Sequence, residues 1–371
     1  NTTTTYGGAI STQSNPSGPS PTVLNSYFFG NTSSSNGGAI SSRYAPGIYT
    51  NCVFSGNKAD IGGAVYTSNL NNASPPFTTF TNCTFAANRA SVIGGGFYNE
   101  NAANSIINNS ILFGNTALAT NTIANIVSTI VVSNSLVEGG FTGTGNINVN
   151  PAFVSPQLAS AAPTILGDYR LQSCSPAVNA GDSTLLPIGT THDLDSNARV
   201  RFTNVDMGAY EMQAVDYNNT TWRGFNTNWD SVINWCGGYI PTDSTNVIIP
   251  TGVTNYPVIS TSNANTKNIS LANNTSITIN NTGKLTIKGA YTNSGSIITN
   301  NGTLVMGGSA AGQIFPGALG TITAMNNLEL SNTSGISLNK SFTITGTLTP
   351  TAGAINLNND TITLASTALG T

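Results

Sequence analysis

The chain has 371 residues, of which 39% are hydrophobic and 7% charged, with 39 glycines, a net charge of −3 and a single histidine. Globular chains are usually about a quarter charged, so helix-face ion pairs and long amphipathic helices are excluded, and eleven basic residues leave no electrostatic footprint for nucleic acid. One histidine, His192, excludes a multi-histidine metal site and makes any Ser-His-Asp arrangement depend on that residue. The polar residues are instead Asn, Thr and Ser, which compete for backbone hydrogen bonds in turns or are β-branched and so form helices poorly. We therefore expect an all-β protein.

The N-terminal run Asn1-Thr2-Thr3-Thr4-Thr5 has neither the basic nor the apolar part of a signal peptide, and no stretch approaches the ~20 apolar residues of a spanning helix. We expect an excerpt of a longer, exported chain. Gly7-Gly8-Ala9-Ile10 recurs as Gly37-Gly38-Ala39-Ile40, Gly62-Gly63-Ala64-Val65 and Gly95-Gly96-Phe97, at spacings of 30, 25 and 33 residues. Between these blocks run Asn25 to Asn31, Asn51 to Asn57, Asn82 to Asn88 and Asn109 to Asn115, with a weaker copy from Asn134. Such a unit is one coil of a right-handed parallel β-helix, which buries its apolar side only by stacking on its neighbours. The stacking predicts an inward column of Phe28, Phe54, Phe85, Leu112 and Val137, an asparagine ladder through Asn25, Asn51, Asn82, Asn109 and Asn134, and positive φ at Gly30, Gly56 and Gly114. From Pro151 to Gln213 the period fades and charge rises, which suits a cap over the last coil's strand edges.

A second unit follows from residue 214, opening with Trp222, Trp229 and Trp235. Apolar/Thr alternation then repeats with an offset near 59, matching Asn268–Leu271 to Asn327–Leu330 and Leu285–Gly289 to Phe342–Gly346. We read residues 1–213 as one β-solenoid whose cap is about 151–213, and residues 214–371 as a second, shorter-stranded one.

The coil motifs, with Ser175 to Gly181, Asp193 to Arg199 and Asp206 to Glu211, resemble the right-handed β-helix of secreted Bacteroidetes surface proteins called choice-of-anchor Q domain proteins. The stretch from Thr221 through Trp235-Cys236-Gly237-Gly238 to Ile259 resembles repeat modules of large type IX secretion substrates and gliding-type adhesins of that phylum. The resemblance implies export across the outer membrane and display at the cell surface. It carries over no catalytic residue, and the family's C-terminal sorting domain has no counterpart here.

Several constellations could carry chemistry. Asp193-x-Asp195-x-Asn197 has the alternating oxygen ligands that open a calcium loop, although Ala198 stands where an EF-hand has glycine and Asn204 where it has glutamate. The alternative is a turn cap paired with Arg199 or Arg201. Asp206 and Glu211 could form an acid/base pair, against which stands a buried ion pair with the nearby arginines. Arg43, Lys58, Asp60, Arg89 and Glu100 are the coil residues available to a polysaccharide lyase, and read more simply as a solvated face. Trp222, Trp229 and Trp235 could stack on sugars or plug the open end of the second solenoid. Cys52 and Cys83 share a column with Ser26, Ser110 and Ser135, so they either bridge or fill a slot for small side chains, and none of the four cysteines has CxxC spacing. The function this favours is a non-catalytic surface adhesin or stalk binding glycans or other surface proteins. A polysaccharide lyase or glycoside hydrolase is the alternative, and ice binding by outward threonines such as Thr278, Thr286, Thr343 and Thr361 is a third.

Overall fold

The computed structural model describes residues 1–13, 20–44, 46–69, 77–120, 122–201, 204–213, 216–260, 263–315 and 325–365. The chain divides into two compact units, Asn1–Ala214 and Val215–Thr371. Residues 214 and 215, at the expected junction, lie outside the described ones. Among the described residues there is no α-helix, only β-strands and three short 3₁₀ turns.

In the first unit the first four coils each contribute a strand to each of four sheets, and the fifth coil contributes to three of them. Counting along the chain, the first sheet holds Thr2–Thr3, Thr32–Ser33, Lys58–Ile61 and Arg89–Ile93, and the second Ile10–Gln13, Ile40–Arg43, Val65–Ser68, Phe97–Glu100 and Ile123–Ile126. The third holds Thr22–Leu24, Ile48–Thr50, Thr78–Thr81, Asn104–Asn108 and Thr129–Ser133, and the fourth Tyr27–Phe29, Val53–Ser55, Thr84–Ala86, Ile111–Phe113 and Leu136–Val137. All these pairings are parallel, as a solenoid requires. The expected column forms in register, Phe28 on Phe54, Phe85, Leu112 and Val137. Its rings stack at 4.7 and 4.8 Å, tilted by 9° and 10°, and Tyr49 stacks on Phe80 in the third sheet at 4.8 Å. Repetition of ring on ring at the strand spacing adds about 0.5–1.5 kcal/mol per pair beyond area burial.

The continuous asparagine ladder forms in a different column from the expected one, in which Asn51 Nδ2 donates to Asn25 Oδ1 (3.0 Å) and Asn109 Nδ2 to Asn82 Oδ1 (3.5 Å). Asn31, Asn57, Asn88 and Asn115 close the same motif, and Asn57, Asn88 and Asn115 each use Oδ1 to accept from both the backbone N–H and the side-chain amide of the asparagine one coil earlier. Amide to amide, the distances are 2.9, 2.9 and 2.8 Å; backbone to amide, they are 2.9, 3.0 and 3.1 Å. Each Nδ2 of the last three also donates to the carbonyl of Phe28, Phe54 or Phe85. Asn25, Asn51, Asn82, Asn109 and Asn134 instead take positive φ, between 46° and 52°, at the bend into the fourth sheet. Asparagine tolerates that conformation better than other side chains, and the amides that remain turn outward. Gly30, Gly56 and Gly114 have φ of 63°, 60° and 70°, as expected, with Ala87 at 55° in the equivalent place.

Those outward amides dock residues 151–213, which do not sit over the last coil as a cap. Asn51 Nδ2 donates to His192 O (2.8 Å), Asn82 Nδ2 to Asp206 O (3.0 Å) and Asn109 Nδ2 to Asp182 O (2.9 Å), while Ala209 N donates to Thr84 Oγ1 (3.0 Å) and Thr164 N to Gly56 O (3.0 Å). The segment thus runs along the flank of several coils. Apolar residues on the outer side of the fourth sheet, Val53, Ala86, Ile111 and Leu136, explain why: with Phe153, Tyr169, Leu171, Val178, Met207 and others they form a second core. The end of the coil stack is met instead by the stretch just before, where Leu136 bridges Ile147.

The second unit is also built of parallel sheets, the longest running Asn263–Thr266, Lys284–Ile287, Thr303–Gly308, Asn327–Asn332 and Leu348–Pro350. Leu285, Leu304 and Leu328 share one inward column, and Ile287, Met306 and Leu330 another. The 59-residue offset does not describe it. Ile269–Leu271 pairs with Tyr291–Asn293, in a different sheet from Asn327–Asn332. Short strands of alternating Thr and Ile look alike, so an offset that is not a whole number of coils still aligns them. The column through Thr286 reads Asn265, Thr286, Val305, Glu329, Thr349, so no continuous threonine row for ice forms there.

Candidate functional site

Charge gathers in the flanking segment. The Arg199 guanidinium is fully buried and donates from Nη2 to Glu211 Oε2 (2.8 Å), Asp206 O (3.0 Å) and Tyr210 O (3.3 Å), and from Nη1 to Gly208 O (3.3 Å) and Asn51 Oδ1 (3.5 Å). Asp206 accepts from Asn179 N and Met212 N, both at 2.7 Å. Asp193 Oδ1 accepts from the backbone N–H of Asp195 (2.9 Å) and Asn197 (2.8 Å), and its Oδ2 from Glu211 N (2.8 Å). These buried carboxylates spend their oxygens on backbone N–H groups and Arg199 and so tie loops together.

That geometry also decides the calcium loop. Asp193 spends both oxygens on N–H donors, and Asp195 faces Arg170, with Nε to Oδ2 at 2.6 Å. Among the described residues no group of three His, Cys, Asp or Glu side chains converges as metal ligands. Asp193, Asp195 and Asn197 therefore do not fit a hard cation, and form a turn cap whose ion pair is to Arg170, not to Arg199 or Arg201. Arg170 also pairs with Asp168 at 3.2 Å and lies over the Tyr210 ring, and Arg170, Asp195, Asn197, Tyr210 and Glu211 line a cleft of about 280 Å³. His192 is exposed, with Nδ1 2.8 Å from the hydroxyl of its neighbour Thr191, which gives no catalytic triad.

Burial and the adjacent Asp206 push the Glu211 carboxyl up to about 8, and burial pushes Asp206 up to about 6. A raised folded value means that folding takes up protons, so this stabilisation is complete below the ordinary carboxylate range and is lost as pH rises through 6 and then 8. The first unit should melt at a lower temperature at pH 9 than at pH 5.5, and Glu211→Gln should flatten the difference. Thermal unfolding followed by far-UV circular dichroism checks both, and an opposite trend would contradict the assignment.

Trp222, Trp229 and Trp235 are buried in the first coil of the second unit. Trp235 meets the other two edge to face at 4.9 and 4.7 Å, Trp222 Nε1 donates to Asn255 O (2.7 Å) and Trp235 Nε1 to Trp229 O (2.8 Å). No indole face is left for a sugar, so these residues are a core and not a glycan platform. Their emission should be blue-shifted and resist iodide until the unit unfolds; a red-shifted, readily quenched spectrum of the native protein would count against this. Cys52 and Cys83 are buried free thiols, each donating to the carbonyl two residues before, Thr50 (3.3 Å) and Thr81 (3.5 Å), as Ser110 and Ser135 do in the same column (2.7 and 2.8 Å). They fill the slot for small side chains.

Arg43 and Glu100, read from sequence as parts of a solvated face, are brought together on the outer side of the second sheet by three tyrosines that the sequence did not point out. Tyr66 and Tyr98 occupy neighbouring coils in register and stack at 5.8 Å. Tyr66 donates a short hydrogen bond to Glu100 Oε1 and Tyr98 one of 3.0 Å to Oε2. The Arg43 guanidinium lies 3.8 Å from the Tyr6 ring centre and 5.6 Å from that of Tyr66. The only signal available beforehand was the recurrence of Tyr three residues after Gly63 and Gly95.

The Chlamydia polymorphic membrane protein (Chlamydia_PMP) repeat matches residues 25–43 and 51–68. Each match runs from a bend asparagine through the stacked Phe and the ladder asparagine to the second-sheet strand, so the coils of the first unit are similar to these repeats. A family described as Domain of unknown function (DUF8693) matches residues 221–359, nearly all of the second unit's strands. Comparison with curated proteins and with solved structures gives no match.

Proposed function

We propose that this chain is a displayed, non-enzymatic module of a larger surface protein, an adhesin or stalk that binds glycans or neighbouring proteins through the sides of its coils. The observation that carries the reading is the similarity of two consecutive coils to a repeat named for a membrane protein, together with a buried charge network that serves packing. The resemblance to Bacteroidetes surface proteins adds a type IX export route and an extracellular location. Among the described residues no helix is long and apolar enough to cross a membrane. Neutral Asn, Thr and Ser side chains offer many modest hydrogen bonds, so affinity would come from many copies acting at high effective concentration. Attachment assays with cells carrying or lacking the parent protein test this; unaltered attachment, with glycan cleavage by the isolated chain, would instead favour the polysaccharide lyase or glycoside hydrolase.

A further inference from the structure

Arg43 has a cation's environment without a counter-ion. Its Nε is buried with no acceptor in reach, and the residue is only half-buried as a whole. Every one of the 14 acidic residues of the chain lies among the described ones, and none of the ion pairs they form includes Arg43. The acid nearest in the register is Glu100, two coils on in the column Arg43, Ser68, Glu100, and its two oxygens are turned to the Tyr66 and Tyr98 hydroxyls. A guanidinium held against the Tyr6 ring, with Tyr66 also near, is preorganised, so its remaining N–H groups form a fork with little further loss of freedom. A planar fork of that kind matches the two oxygens of a carboxylate or sulfate.

We propose that the outer face of the second sheet binds an anionic oligosaccharide, one whose sugar rings carry carboxylate or sulfate groups. Arg43 takes the anion, the half-buried Tyr6 ring offers an apolar edge to the sugar, and Glu100 accepts from a hydroxyl. Cation and acceptor stand two coil steps apart, roughly 10 Å at the strand spacing, so a ligand that engages both is longer than one sugar ring. This rests on the reading of the chain as a glycan-binding surface module and names the glycan class and the residues that would select it.

The test is calorimetric titration of the 371-residue protein with a galacturonate hexamer, a heparin-derived hexamer and a neutral maltohexaose. At least one acidic hexamer should bind about tenfold or more tighter than the neutral one, and the preference should shrink with added salt. Arg43→Gln should abolish the preference and Arg43→Lys, which keeps the charge without the fork, should restore part of it. The comparison of the two acidic hexamers tells carboxylate from sulfate. Should Arg43→Gln not fold, NMR of the wild-type protein replaces it: the Tyr6 and Tyr66 ring protons should shift with an acidic hexamer and stay unchanged with maltohexaose. Equal binding of acidic and neutral hexamers, unchanged acidic binding by a folded Arg43→Gln, or shifts confined to residues away from this face would each overturn the proposal. Cell attachment that persists alongside equal binding would overturn it and leave the adhesin reading standing.

Discussion

Replacing Arg199 with methionine should destabilise the first unit by about 3–5 kcal/mol at neutral pH, the cost of leaving several buried acceptors without their donor. The side chains of Arg199 and Glu211 are both fully buried. Removing the guanidinium strands the carbonyls of Asp206, Gly208 and Tyr210 and the Asn51 amide oxygen, and takes a favourable charge away from Asp206. Methionine keeps much of the volume, so the loss is electrostatic and not a cavity. Because Glu211 binds its proton readily in this setting, the deficit should grow as pH rises and Glu211 ionises. Adding Glu211→Gln to the variant should recover part of the stability at high pH, whereas Glu211→Gln alone should cost less than the loss of Arg199. Urea unfolding of the three variants gives the numbers; a loss under about 1 kcal/mol for Arg199→Met would mean that the pair is dispensable to the flank, as exposed ion pairs usually are.

The same network shows what a sequence can and cannot disclose in a solenoid. The coils were legible because stacking forces identical chemistry to recur at one spacing, so Phe28, Phe54 and Phe85 announce their column wherever the bends fall. What recurrence does not reveal is which of two recurring asparagines faces inward. Asn25 and Asn31 repeat equally well, and only the backbone, left-handed at the first and in register at the second, assigns the ladder to one and the docking contacts to the other. The flanking segment has no period at all, and its charge suggested an end cap. Its real partner was hidden in the outward residues Val53, Ala86, Ile111 and Leu136, apolar where a solvated face would be polar. In the second unit the strands were legible and their register was not, because Ile-Thr alternation carries no landmark. Composition gathers the three tryptophans at the opening of the second unit but allows both sugar stacking and an apolar plug, and only their burial in the fold decides between these. The tyrosine-bound Arg43 could not, because its members come from separate coils and meet only after the stack is built.

Asn88→Ala, like Asn57→Ala, should be among the costliest single changes in the ladder, at about 3–5 kcal/mol, since buried groups left without partners cost about 1–3 kcal/mol each. Asn88 Oδ1 accepts from Asn57 N and Nδ2 (3.0 and 2.9 Å), and its Nδ2 donates to Asn115 Oδ1 and Phe54 O (2.8 and 2.9 Å). Alanine removes all four at a fully buried position, and the gap is too enclosed by neighbouring coils for the chain to close over it. Asn1→Ala, at the exposed start of the same column with a single contact of 3.2 Å to Asn31, should cost under about 0.5 kcal/mol. Asn88→Asp separates donation from acceptance. Aspartate can still accept from Asn57, but it sets lone pairs against the Asn115 and Phe54 oxygens, so it should be as damaging as alanine at pH 7 and partly rescued near pH 4, where a protonated carboxyl donates to one of them. Equilibrium unfolding across that range decides it: equal stability of Asn88→Asp at both pH values would show that the ladder's stabilisation comes from acceptance alone, and a loss for Asn88→Ala no larger than for Asn1→Ala would show that the coils are held by their Phe column and backbone pairing without it.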